Sequence, residues 1–100
     1  MFIAILDFDV ASADSGAALD QLLGEAPGIR EMKGNLSFRA FADPLLDTRV
    51  TVLHEWETQD DFQAYLASPS FAESGTVLRP MMTGAPVSRR FRAELVEAVA

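Results

Sequence analysis

The chain has one histidine and one tryptophan, and they stand two positions apart, as His54 and Trp56 in "HEWETQDDFQAYLASPSF". An imidazole with an ordinary pKa near 6.5 can take the proton of a phenol. An indole can stack on an aromatic ring. Alternate residues of a strand share a face, so both side chains would converge with Val50 and Val52. The same pair also has a plainer reading, with His54 a hydrogen-bonded core residue and Trp56 a plug over the strand end. Asp7 and Asp9 would lie on one side of a strand, about 7 Å apart, as a carboxylate pair or as solvated strand-end residues. Arg89, Arg90 and Arg92 can grip an anionic ligand, pair with surplus acids, or cross an interface between subunits. Met81 and Met82 can form an adaptable pocket wall or simply pack a loop.

The bulk properties narrow the chemistry. One hundred residues with 49% hydrophobic and 23% charged side chains make a single globular domain over residues 1–100. A net charge of -7 argues against nucleic acid and anionic membranes as partners. The absence of Cys removes disulfides, thiolate nucleophiles and iron–sulfur ligation, and a single His makes a His-built metal site implausible. The opening "MFIAILDFDV" is apolar, but it lacks a basic flank and acids interrupt it, so neither a signal peptide nor a membrane span is expected. The expected location is the cytoplasm.

The elements that must position these residues follow from periodicity. Phe2 to Val10 has a strand's length and β-formers. "ASADSGAALDQLLGEA" has a helical stripe of Ala18, Leu19, Leu22 and Leu23, capped by Ser12 or Asp14 and ended or broken at Pro27-Gly28. "NLSFRAF" predicts a second strand with Leu36, Phe38 and Ala40 on one face. "RVTVLHEW" predicts a third. A helix then starts near Thr58, with Thr58 and Asp61 placed as a capping pair. Ser68-Pro69 starts another helix, "MMTGAP" is a loop, and "VSRRFRAELVE" predicts a long last strand. The order β-α-β-β-α-β is a ferredoxin-like α+β fold, a four-stranded antiparallel sheet with helices on one face. Right-handed crossovers put the first and third strands in the middle. Arginines on the second and fourth suit edges.

Both central strands are apolar on both sides. Val50, Val52, His54 and Trp56 share one face, while Thr51, Leu53 and Glu55 share the other. Ile3 and Ile5 oppose Phe2, Ala4 and Leu6. Helices can cover only one face, and a bare face normally alternates with polar residues. A second copy of the chain is therefore expected to seal the sheet, as a homodimer packed sheet to sheet.

Three segments, "GNLSFRAFADP", "VLHEWETQDDFQAYLASPSF" and "LRPMMTGAPVSRRF", together resemble antibiotic biosynthesis monooxygenase domains over roughly residues 34 to 92. The resemblance implies a ferredoxin-like fold assembled as a dimeric α+β barrel. It also implies, from some members, oxidation of quinols or polycyclic phenols by O2 with no cofactor. Trp56 matches the strand-end Trp of the motif. His54 stands where many members have Glu, and Tyr65 where quinol-oxidising relatives often have His. Val52 replaces an Asn and Phe62 a Tyr of the polyketide-phenol branch, and Ser70 replaces a His. Asp7 falls near a first-strand Asn or Glu. Gly75 falls near the haem-ligating position of another branch, and a glycine cannot ligate iron. The resemblance thus implies a small aromatic ligand, with His54 as base or polariser, Tyr65 as orienting group, and Trp56, Val52, Phe62 and Asp7 about the substrate. A dimer that binds an aromatic metabolite without turning it over is the alternative.

Overall fold

The computed structural model describes all residues, 1–100. Strand β1 spans Phe2–Asp9, helix α1 Ser15–Arg30, β2 Asn35–Ala42, β3 Arg49–Trp56, α2 Gln59–Leu66, α3 Pro69–Leu78 and β4 Val87–Arg92. The four strands form one antiparallel sheet in the order β2-β3-β1-β4. The two most apolar strands are central, and the strands that carry Arg39, Arg89, Arg90 and Arg92 are edges, as the sequence predicts. All helices pack on one face. Beneath them lies the core, built from Phe2, Ala4, Phe8, Phe38, Val50, Val52 and Trp56 of the sheet and Ala18, Leu22, Ala26, Ile29, Phe62, Tyr65 and Leu78 of the helices.

The capping chemistry of the second half holds. The Thr58 hydroxyl accepts from the Asp61 N–H at 3.1 Å, and the Ser68 hydroxyl accepts from the Phe71 N–H at 3.2 Å, with Pro69 in the first turn. Three local expectations do not hold, and the first concerns α1. This helix runs through Pro27 instead of ending there. Pro27 and Leu23, four residues back, are both exposed, so the carbonyl that loses its N–H partner faces solvent. The buried stripe is Ala18, Leu22, Ala26 and Ile29, with Leu23 turned outward. Neither Ser12 nor Asp14 caps α1 through its side chain; a single 3-10 turn over Ser12–Asp14 leads in.

The second difference is a bulge in β2. Asn35 opposes Trp56 and Ser37 opposes Glu55, which leaves Leu36 as the extra residue, half exposed rather than in the core. The turn before it needs Gly34, whose φ is +79°. The third is β4, which ends at Arg92 opposite Phe2, where β1 has no more residues to pair; residues 93–100 form no regular element.

The face away from the helices carries Ile3, Ile5 and Leu53 at its centre, all half-buried by strand neighbours alone. Exposed Phe41, Phe91 and Val87 extend this apolar area across the edges. Polar groups rim it. Arg49 donates to both Asp9 carboxylate oxygens at 3.1 Å, and Thr51 Oγ1 donates to Asp7 at 2.6 Å.

Candidate functional site

Strand alternation on β3 sends Val52, His54 and Trp56 toward the helices, and α2 brings Phe62 and Tyr65 over them. The Trp56 indole Nε1–H donates to His54 Nδ1 at 2.9 Å. That bond occupies the lone pair of Nδ1 and leaves the ring's proton on Nε2. No protein group accepts from Nε2–H, and the His54 ring lines a cavity. Burial, helped by the Arg90 charge, pushes the His54 pKa down to about 4. At neutral pH the imidazole is therefore a neutral donor. With Nδ1 occupied, the imidazole presents its Nε2–H, and not a free lone pair, to the cavity side.

The cavity measures about 270 Å³ and is walled mostly by hydrophobic groups. Its floor is Val52 and Leu6, with Ser88 at the sheet edge beyond them, as register requires: Leu6 opposes Val52 on one side and Ser88 on the other. One row along, His54, Ala4 and Arg90 lie across the sheet in line. Ala4 is small, and the Phe62 ring settles between its larger neighbours, 5.5 Å from the His54 ring and 5.0 Å from the Arg90 guanidinium carbon. Tyr65, Phe71, Ser74 and Leu78 close the helix side. Met82, Pro86 and the exposed residues Arg79, Ser88 and Arg90 form the open side. Tyr65 has its phenol pKa pushed up by burial and, secondarily, by the Glu25 carboxylate, so it too remains a donor. Glu25 does not line the cavity; its Oε2 accepts from Ser74 Oγ at 3.2 Å.

The structure brings four expected residues together around this cavity: His54, Tyr65, Val52 and Phe62. Trp56 does not join them. It is fully buried behind His54, stacked on Tyr65 at 5.3 Å between ring centroids, because two residues further along the strand lies under α2 rather than beside the cavity. The plainer reading of Trp56 as a strand-end plug describes its packing, with the hydrogen bond to His54 as an added role. Asp7 lies on the opposite face of the sheet, since its neighbours Leu6 and Phe8 point to the helices. It is engaged by Thr51 and, at 3.8 Å, by Arg89. Gly75 and Met82 line the cavity, and Met81 packs against the core. The sequence assigned no role to Arg79, Ser74 or Ser88, although Arg79 and Ser88 lie in the third resembling segment. Parity along β4 separates Arg90, on the cavity face opposite Ala4, from Arg89, opposite Ile5 on the other face.

The family model for antibiotic biosynthesis monooxygenases matches residues 1–74. The chain belongs to that family. The match takes in β1 and α1, which the three resembling segments left out, and stops short of the last loop and β4. Among solved structures, the chain is similar to a protein from Deinococcus radiodurans assigned to the antibiotic biosynthesis monooxygenases, with a TM-score of 0.89, 15% identity, and coverage of 100% of this chain and 99% of that one. A protein so assigned from Caulobacter crescentus gives 0.87 and 19%, covering 94% and 90%. SnoaB, a cofactor-independent oxygenase from Streptomyces nogalater, compared in the form of a point mutant, gives 0.74 and 21%, covering 95% and 94%. At these identities the likeness establishes the fold. No curated protein matches the sequence. No helix is long and apolar enough to cross a membrane, and no three His, Asp or Glu side chains gather as a metal site.

Proposed function

We propose that this chain is a cofactor-independent monooxygenase that oxidises a quinol or polycyclic phenol with O2. The observation that carries this reading is the largely apolar cavity lined by Tyr65 and by His54, whose Nε2–H has no acceptor within the protein. An electron-rich phenolate can itself reduce O2, so the protein's task is to bind the ring, hold its oxygen as an anion and exclude water. A cavity of about 150 Å³ accepts benzene, so one of about 270 Å³ has room for roughly two fused rings. The stoichiometry closes without an external reductant: a quinol and O2 give a hydroxyquinone and water, the quinol supplying every electron. Kinship with a family named for monooxygenases, and the fold shared with an oxygenase described as cofactor-independent, support the reading.

In this reading His54 polarises the substrate oxygen, Tyr65 orients it, Val52 and Phe62 hold the ring, and Trp56 fixes the His54 tautomer from behind. The apolar outer face supports a homodimer closed sheet to sheet. Oxygen uptake with a panel of quinols tests the activity. We expect turnover that falls about 100-fold in His54→Leu, the usual scale for losing one donor to a developing oxyanion. Uptake that is absent, or unchanged in His54→Leu, defeats it. The lack of any proton acceptor on the cavity wall favours a second reading, a dimer that binds an aromatic metabolite without turnover. Ligand-induced thermal stabilisation with no oxygen consumption selects that reading.

A further inference from the structure

The cavity is well supplied with donors and has no carboxylate to accept from a ligand. His54 offers an N–H, because Trp56 holds its other nitrogen. Tyr65 offers an O–H. The Ser88 hydroxyl already accepts from Arg90 Nε at 3.2 Å, and the Ser74 hydroxyl is turned to Glu25. No carboxylate lines the wall. A phenol entering as the neutral form would find no side chain to take its proton. At the open side, by contrast, stand two guanidinium groups, Arg79 and Arg90. The chain's ion pairs are Arg49 with Asp9 and Arg89 with Asp7, so neither Arg79 nor Arg90 has a carboxylate within 4.0 Å. In a protein of net charge -7, with fifteen acids to eight bases, two arginines with no carboxylate partner stand together at one cavity mouth. Arg90 is also held in place by Ser88 and by the Phe62 ring, so its fork is directed rather than free.

We propose that the cavity selects quinols or phenols whose ring system also carries a carboxylate, anionic at neutral pH, with Arg90 and Arg79 receiving the carboxylate oxygens at the mouth and the apolar walls taking the rings. This deepens the oxygenase reading by naming its substrate class, and it rests on the same cavity being the ligand site. The chemistry is that of charge-assisted hydrogen bonds between guanidinium and oxyanion, set against repulsion by the acidic remainder of the surface.

The test compares 1-naphthoate with the nearly isosteric neutral 1-naphthamide by calorimetric titration of the full chain. We expect naphthoate to bind at least about tenfold tighter, a preference that shrinks toward parity in the double variant Arg79→Gln/Arg90→Gln and in high salt. Both arginines are exposed, and an unchanged melting temperature confirms that the variant is folded. Equal or tighter binding of the amide, a preference that survives in the double variant, or no binding of either probe at about 1 mM overturns the proposal. Oxygen uptake with 1,4-dihydroxy-2-naphthoate, a quinol that carries the carboxylate, is run alongside. Naphthoate preference without uptake retains the anion site and removes the oxygenase reading. Uptake without naphthoate preference does the reverse.

Discussion

His54 is where residue identity and environment pull hardest against each other. An imidazole in water is half-charged near pH 6.5; here burial and Arg90 hold it neutral down to about pH 4. The unfolded chain therefore binds a proton that the folded chain refuses over this interval, and stability rises with pH across it. Lowering the pH from 6.5 to 4 is predicted to remove about 3 kcal/mol of unfolding free energy through this one group, at about 1.36 kcal/mol per pKa unit. Urea titrations at stepped pH check this, with His54→Leu expected to flatten the slope between pH 4 and 6.5. Asp9, held below the usual carboxylate value by its hydrogen bonds to Arg49, loses its contribution only as pH falls further, so the two windows separate. Trp56 supplies a second, spectroscopic prediction. Nitrogen-resolved NMR of the wild type should show one imidazole tautomer, protonated on Nε2. Trp56→Phe, which keeps a ring but loses the N–H, should show a mixture. A single unchanged tautomer would mean that the indole bond does not set it. The sequence left two readings open, a shared ligand contact or a hydrogen-bonded core histidine beside a strand-end plug, and did not show the bond that links the two rings. The pattern gave the right face but could not tell which of the two would be roofed by Tyr65.

At the scale of elements, hydrophobic period and capping chemistry carried most of the fold. Strand order followed from which runs were apolar on both sides. The starts of α2 and α3 followed from Thr58 and Ser68-Pro69. What was not legible were the places where solvent exposure cancels a local penalty. Pro27 reads as a stop because it removes an N–H, yet its turn faces water and the helix continues to Arg30. Pro27→Ala should therefore restore an intrahelical bond and raise stability by about 1 to 3 kcal/mol, measured by chemical denaturation. A loss of stability would show that the proline is adapted to a bend this helix needs. Leu36 reads as core by alternation, and the bulge that displaces it is set by Gly34 just before it. Any side chain on Gly34 would require a strained backbone and meet the Asp61 carboxylate at the first turn of α2. Gly34→Ala is expected to cost about 2 kcal/mol, of which Asp61→Ala in the same chain recovers only the part due to the carboxylate, because the Cβ of residue 61 also lies in the way. The Arg90 site was half legible: the arginine cluster was visible, but which member faced the cavity depended on β4 register.

For the whole molecule, the two faces of one sheet divide the labour. The helix face holds the cavity. The other face has Ile3, Ile5 and Leu53 at its centre with Phe41, Phe91 and Val87 around them, a continuous apolar area of the kind that marks a protein–protein surface. The wild type is expected to run in light scattering as two chains of 10.9 kDa each at micromolar concentration. Leu53→Asp would place an unpaired carboxylate at the middle of that contact, where desolvating it is far costlier than leaving it in water, and the variant should be monomeric. Leu23→Asp, an equally drastic change at an exposed position on the outer side of α1, should leave the mass unchanged. A monomeric wild type, or a Leu53→Asp protein that stays paired, would sink the sheet-to-sheet dimer. Because the cavity lies across the sheet from that contact, the Leu53→Asp monomer should still bind 1-naphthoate. Its affinity should stay within about threefold of the dimer's, which is under 1 kcal/mol, and a larger loss would mean that the partner chain helps to shape the site.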